Sequence, residues 1–582
     1  MGWRRQLDVA RCADDERAIV RRSVYFFALF LLTTAAAATD SRDAEIKQLF
    51  DQSRWRDVIS VVEKTGVRSA DLDYYYGSAL AQVGSLPEAR TAFLAGRKLQ
   101  PNDKRFPIEL AGLAFKQKDY PAAIRWLRMA LRIDRNDDYA NNFAATVYYL
   151  EGNTEAAIRY WNRTGKPTLQ KVVFDPMPRL RADVLDRAFA FSPGSVLELG
   201  DLITSERRVE GLGIFPVYGF RLAARDDGKF DIGFNAQERN GFGNNKLQAL
   251  VSIFSGAFYQ TVYPAYYNLV RSAVNVTSLI RWDAQKRRGA LNLSGPWRLN
   301  SKWRYTFGMD LRNENWAIRD SFSGPAPVLG SLNLRRAVVS GGVESFTSGR
   351  WGWSAGAEVS YRDYRSVEAG TAITPNLLLS GYQLKQLTSV NYELLRIPER
   401  RFVIEGRGTS QLARIWSAPS HSFAKLQSEL DSRWLPQTRG DDYEMQSRVS
   451  LGKTFGEAPF DELFMLGLER DNDLWLRAHI GTYDGVKGSA PLGRSYFLSN
   501  WEMDKNLYDN GLLGLKLGPF VDTGKMMDTT TTFATSKWMW DTGAQTKISV
   551  LGVGMVFSYG KDLRTGNNAF YAQMEKSFTK AR

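Results

Sequence analysis

From about residue 240 to the end, apolar and polar residues alternate along the chain. That period of two limits what it can fold into more than any other feature. Trp303, Tyr305, Phe307, Met309 and Leu311 alternate with Lys302, Arg304, Thr306, Gly308, Asp310 and Arg312. Trp351, Trp353, Ala355, Ala357, Val359 and Tyr361 repeat the design, as do Tyr443, Met445, Val449, Leu451 and Phe455. Near the end, Val553, Met555, Phe557 and Tyr559 oppose Gly552, Gly554 and Gly560. Successive strand side chains point to opposite faces, so each segment has one apolar and one polar face. About 15 or 16 such segments of about ten residues each, separated by polar loops, predict a transmembrane antiparallel β-barrel of about 16 strands over residues 239–582. A soluble sandwich or propeller also alternates, and the leader described next argues against it.

Composition agrees with a strand-built membrane protein. Aromatic residues make up 13% of the 582, yet mean hydropathy is only -0.34. A helical membrane protein is excluded, because only one apolar run approaches membrane length. That run, Ser23 to Ala38, follows Arg21-Arg22 and ends in small residues with Ala36 and Ala38 in A-x-A spacing. It reads as a secretory signal peptide over residues 1–38, with an uncleaved N-terminal anchor as the alternative. The sole cysteine, Cys12, precedes the run. Cleavage near Ala38 leaves no thiol for a disulfide, a metal site or a nucleophile.

Residues 39–167 carry a repeat. Ala89, Ala123 and Ala157 lie 34 apart, each followed four residues later by Phe93, Leu127 or Trp161. Gly77, Ala111 and Ala145 keep the same period; Gly84 and Gly152 mark interhelix turns, and Pro101 closes the first full unit. The pattern resembles the tetratricopeptide repeat, with an earlier degenerate pair (Ala44–Asp51, Trp55–Glu63) as a cap. The resemblance implies an all-α solenoid with a concave surface for peptides or periplasmic partner proteins.

Residues 168–238 change character. Leu199, Leu202, Ile203 and Val209 recur at helical spacing and Gly211 and Gly213 end the run. Two alternating runs, Val217–Ala223 and Phe230–Ala236, flank the turn Asp226-Asp227-Gly228 and predict a hairpin. Together with Pro193-Gly194, Ser205-Glu206-Arg207-Arg208 and Leu212-Gly213-Ile214-Phe215, this small α/β unit resembles a POTRA (polypeptide-transport-associated) domain; a generic α/β linker domain is the alternative. The resemblance implies that Val217, Tyr218, Gly219, Phe220, Arg221, Leu222 and Ala223 form a sheet edge offered to a client by strand addition.

The last third is similar to the bacterial surface antigen superfamily of outer-membrane insertases and two-partner secretion transporters. The similarity rests on Leu476-Arg477-Ala478-His479, Glu502 and Phe520-Val521-Asp522-Thr523-Gly524. In that family a long loop carrying a Val/Leu-Arg-Gly-Phe/Tyr motif folds into the lumen. Here Ala478 replaces the glycine and His479 the aromatic. The resemblance implies a latch between Arg477 and Asp522, through a charge-assisted bond. Phe570 and Phe578 resemble the terminal strand by which outer-membrane barrels are recognised, although Thr579 to Arg582 follow it.

No catalytic site is expected. Gly352-Trp353-Ser354-Ala355-Gly356 spells a nucleophile elbow but sits inside a strand alternation. With only His421 and His479 and no nearby carboxylate cluster, a zinc site is not expected. There is no P-loop or dinucleotide fingerprint, so no cofactor is expected. The net charge of +14 is spread through the strands. That distribution suits a lumen lining or contact with lipopolysaccharide better than nucleic acid. The expected function is handling of unfolded polypeptide at the bacterial outer membrane, by insertion or export. A polysaccharide-export porin with a tetratricopeptide scaffold is the alternative, and a plain structural or adhesive barrel a third.

Overall fold

The computed structural model describes residues 44–65, 68–243, 246–319, 326–437, 440–510, 513–527, 537–550, 553–574 and 579–580. The leader with Cys12, Ala36 and Ala38, and also Gly552 and Phe578, lie outside them. The chain forms two compact units, divided between Leu150 and Glu151.

The first unit is helical throughout its regular elements. A helix over 44–51 and Trp55–Thr65 precede two pairs, Ala70–Val83 with Leu86–Leu99 and Arg105–Lys116 with Tyr120–Ile133, and then Asp138–Leu150. Ser69 and Asp119 cap their helices by accepting from the amides of Leu72 and Ala122, at 3.1 and 3.0 Å. Each cap satisfies an amide that the helix itself leaves unpaired. The 34-residue period has a steric cause: a Cβ on Gly77 would stand 2.7 Å from the Phe93 ring. Ala89, Phe93, Ala123 and Leu127 are all fully buried. One polar feature departs from this packing. Burial raises the Glu109 carboxyl, although Tyr74 and Lys116 pull it the other way. A raised carboxylate stabilises the fold below its unfolded value and loses that contribution as pH rises through the folded one. Glu109→Gln is therefore expected to raise the thermal stability of this unit at pH 7, by up to about 1 kcal/mol, and to leave it unchanged near pH 4. Calorimetry at the two pH values checks this.

The second unit opens with the helix Thr154–Trp161 and continues into the α/β domain. There the strand Leu169–Phe174 runs parallel to Phe230–Gln237, which pairs antiparallel with Val217–Ala224. The predicted hairpin is present, with Gly228 at φ 76° in its turn. The helix Leu199–Leu212 ends on Gly213 at φ 70°, a left-handed position that favours glycine. Phe189, Phe215, Phe220 and Phe234 interlock as the domain core, with ring centroids 5.1–5.6 Å apart.

The remainder is a closed barrel. Thr261–Val262 and Ala265–Leu269 share one register against Val274–Arg281 and act as a single first stave. Fourteen antiparallel steps follow it round to Asn568–Met574, so the described residues build fifteen staves. Asn568–Met574 then closes the ring beside Thr261–Val262. With an odd number of staves, these two neighbours run in the same direction. Ahead of the first stave, Gly241 bridges Tyr267, and the helix Lys246–Phe254 follows.

Alternation sorts the wall as predicted. Phe307, Met309 and Leu311 are exposed on the outer face, while Glu314, Trp316 and Ile318 further along the same strand are buried inside. Aromatics collect at both ends of the staves. Trp303 and Trp353 pack at 5.6 Å near one rim, and Tyr361 and Tyr382 at 4.9 Å near the other. Two aromatic girdles bounding an apolar band are the outer surface that a lipid bilayer requires.

Candidate functional site: a loop inside the barrel

The longest connection within the barrel, residues 457–494, folds inward and has structure of its own. Phe464 and Met465 pair antiparallel with Gly493 and Leu492. The Asn472 amide donates to the carbonyls of Met465 and Gly467 at 2.9 and 2.8 Å. These bonds make the loop a preformed unit that needs only anchoring to the wall.

Arg477 is the first anchor. Its guanidinium grips Asp522 with two bonds, Nε at 2.9 Å and Nη2 at 2.7 Å, and its backbone amide donates to the same carboxylate. Nη1 donates to Glu502 at 3.0 Å and to Gln545 at 2.7 Å, and the group lies 3.8 Å above the Phe520 ring. Asp522 is fully buried and also accepts from Asn500 at 2.8 Å. The proposed latch residues Arg477 and Asp522 thus meet, and the motif positions Glu502 and Phe520 join them. Gly524 faces Leu476, where a Cβ would come within 3.1 Å of its methyl.

The two departures from the motif are accommodated. The Ala478 amide donates to Asp541 at 2.7 Å, and His479 Nδ1 lies 3.1 Å from the same carboxylate. His479 Nε2 faces Asp562 at 3.9 Å. The expectation of no carboxylates around a histidine is corrected here: they come from strands more than 60 residues downstream, where no local spacing reveals them. The imidazole thus lies between carboxylates of two neighbouring strands. Gly560 provides the floor on which the loop tip rests, since a Cβ there would run into the backbone carbonyl of Arg477. Gly560→Leu is expected to lift the tip and destabilise the folded barrel by about 1–3 kcal/mol, read as a lower temperature for loss of the compact gel band.

Two further anchors were not foreseen. At the start of the loop, Glu462 meets Lys385 at 2.7 Å, Arg336 at 3.3 Å, Arg362 at 3.4 Å and Lys425 at 3.6 Å. Its neighbour Asp461 meets Arg336 at 3.2 Å and accepts from the Tyr364 hydroxyl at 2.7 Å. On another side Asp471 binds Arg281 at 3.1 Å, Lys487 at 3.2 Å and also Arg288, while Lys487 reaches Glu314 at 2.7 Å. The only sequence hint was that acidic residues of this loop stand opposite inward-facing Arg and Lys in the strands. Several inward-facing strand cations are thus paired with carboxylates of this loop.

Apolar packing seals the loop against the wall. Phe460, Leu463 and Leu492 join Trp316, Ile318, Leu332, Leu334, Ile373 and Leu377 in one cluster. Phe464, Leu466 and Leu476 join Tyr496, Leu498, Met526 and Met539 in another. Between loop and wall remains a cavity of about 410 Å³ touched by Arg312, Arg407, Lys425 and Asp473.

The α/β domain is fixed to one rim of the barrel, here termed the near rim. Arg208 donates to the carbonyls of Phe346 and Thr347 at 3.1 and 3.3 Å, and Arg207 pairs with Glu405 at 2.6 Å. The helix Thr154–Trp161 is bound to the same rim, through Glu155 to Arg396 at 2.9 Å and Arg159 to Glu399 at 3.0 Å. The proposed client edge needs one correction. Val217 and Tyr218 are paired, in parallel, with Thr579 and Lys580 of the chain's own C-terminus. Gly219, Phe220, Arg221 and Ala223 have no such strand neighbour among the described residues. Phe570 points outward from the last strand, opposite Tyr559. Ser354 lies mid-strand and bonds Ser389 at 2.7 Å, so the elbow-like pentapeptide forms no strand-to-helix turn.

Fold and site together define an antiparallel β-barrel filled by its own anchored loop, with a small α/β domain on one rim and helical repeats ahead of it in the chain. No protein-family model and no curated protein matches this chain. Among solved structures it is similar to BamA from Haemophilus ducreyi lacking POTRA domains 1–3, at 12% identity over 70% of this chain and 83% of that one, with a TM-score of 0.39. It is similar to CdiB from Escherichia coli, also at 12% identity, over 70% of this chain and 76% of that one, with a TM-score of 0.43. A shorter part is similar to MamA, at 19% identity over 21% of this chain and 74% of that one, with a TM-score of 0.21.

Proposed function

We propose that the chain sits in the bacterial outer membrane, receives unfolded polypeptide on its periplasmic side and inserts it into, or exports it across, that membrane. The observation that carries this reading is the loop itself, anchored around Arg477 inside a closed apolar-faced barrel. A diffusion pore has no use for a lumen held shut by buried ion pairs, whereas a polypeptide transporter needs a barrier that yields only to its client. The α/β domain stands at the rim where a client would arrive, with part of a sheet edge open to strand addition. The helical repeats fit a role in gathering partners or clients. Nucleotide is not required, because strand pairing and folding of the client supply the driving force.

Single-channel recording tests this reading: a mostly closed, fluctuating conductance is expected, and a large steady open pore would favour the polysaccharide porin. The paired C-terminus adds a prediction. Deleting residues 579–582 is expected to strengthen binding of an extended barrel-strand peptide about two- to fivefold, the gain from freeing a short stretch of ladder. Fluorescence anisotropy with the purified full chain checks it.

A further inference from the structure

The outer wall carries a groove that the loop-filled lumen does not explain. Its volume is about 560 Å³, and Ser422 and Ala424 form its floor on the strand His421–Trp434. Leu384 and Leu412 rise on one side and Phe455 on the other. These three ridges are 45%, 51% and 46% exposed, so they face outward, whereas their neighbours Gln383, Ala413 and Phe423 are buried. Cross-strand pairing makes the groove continuous: Leu412 lies beside Ala424, which lies beside Phe455. One row further, Arg414 lies between Leu384 and Ser422. The strand Phe402–Trp416 leaves its turn at Pro398–Arg400 on the near rim, so Arg414 and this groove belong to the far rim.

A cation stands at each end of the groove, Arg414 in the row of Ser422 and Lys453 in the row of Leu426, further from the far rim. Arg414 stands at its head, and Lys453 extends its ammonium to 5.0 Å from the Phe455 ring. Neither forms an ion pair among the described residues, although buried Arg and Lys inside the barrel are extensively paired. A cation on a lipid-facing wall is stable where its long side chain reaches the headgroup layer and meets an anion there. The small side chains of Ser422 and Ala424 leave an open floor between the apolar ridges. We infer that the groove binds one phosphorylated, acylated lipid of the outer leaflet, its phosphate on Arg414 and an acyl chain over Ser422 and Ala424. This rests on reading the barrel as membrane-spanning, with the far rim in the outer leaflet.

The test uses the full chain in phosphatidylcholine nanodiscs doped with lipid A, with retained lipid counted by native mass spectrometry. Wild type is expected to keep one lipid A, while Arg414→Glu lowers retention about tenfold, the ratio for one charge-assisted contact, and Ala424→Trp lowers it by filling the floor. Zwitterionic phosphatidylethanolamine at the same level is expected not to be kept. The milder pair Arg414→Gln and Ala424→Leu should move retention in the same direction, which guards against misfolding of the stronger variants. Equal lipid A retention in all variants, or equal retention of phosphatidylethanolamine, would overturn the inference. Incorporation into discs, followed by heat-shifted gel mobility, reports separately on whether the barrel spans lipid at all.

Discussion

Asp522→Arg is expected to release the loop tip and abolish surface export or insertion while the barrel wall still forms. The substituted side chain would place a second guanidinium where Arg477 now makes contacts of 2.7 and 2.9 Å. Both groups are buried, so little water is available to screen the repulsion. Breaking a buried pair from one side costs about 3–5 kcal/mol, because the remaining charge is left without a partner. Glu502 and Gln545 would still accept from Arg477, but the Arg477 amide would lose its acceptor and Asn500 would keep only the Trp475 carbonyl. Arg477→Ala should show a smaller effect, since Asp522 keeps the bond from Asn500. Export of a surface reporter, alongside gel mobility to follow the wall, separates loss of the latch from loss of the barrel. Wild-type export in both variants would remove the latch from the account.

Glu462→Ala should have an effect of similar size at the opposite anchor. Its carboxylate is the shared partner of Lys385, Arg336, Arg362 and Lys425, within 2.7–3.6 Å. Removing it leaves four buried cations with Asp461 and Glu358 as their nearest compensation. The same reasoning puts the cost near about 3–5 kcal/mol. The start of the loop would then detach from the wall, and Phe460 and Leu463 would leave their cluster with Trp316 and Leu334. The expected readout is a larger and more persistent conductance, and greater sensitivity of cells to antibiotics normally too large to enter. Lys425→Ala, by contrast, should be mild, because Glu462 retains three other cations. Comparing the two shows whether the cluster acts through its single shared anion.

The parts of this molecule legible in the sequence were those governed by local periodicity. The period of 34 placed Ala89, Phe93, Ala123 and Leu127 in a helical core, and the period of two placed Phe307, Met309 and Leu311 on the outer wall. The Arg477–Asp522 contact was reachable only through resemblance, since 45 residues separate the two and no spacing rule connects them. The remaining anchors were not legible for the same reason. Asp471 and Arg281 are 190 residues apart, and only closure of the barrel brings them together. The client edge was read correctly as a strand, but the return of Thr579 and Lys580 to Val217 and Tyr218 depends on where the last stave ends. The helix Lys246–Phe254 was not foreseen, because Leu250, Ile253 and Phe254 are apolar enough for either a strand or a helix.

On the proposed function, the anchored loop is a barrier that polypeptide opens. The most direct measurement reconstitutes the full chain in proteoliposomes and presents a urea-denatured outer-membrane barrel polypeptide on the side bearing the α/β domain. The account predicts that the polypeptide becomes protected from added protease with wild type, and remains degraded with Asp522→Arg. Equal protection with both proteins, or free passage of oligosaccharides through a steadily open wild-type pore with no polypeptide protected, would contradict it.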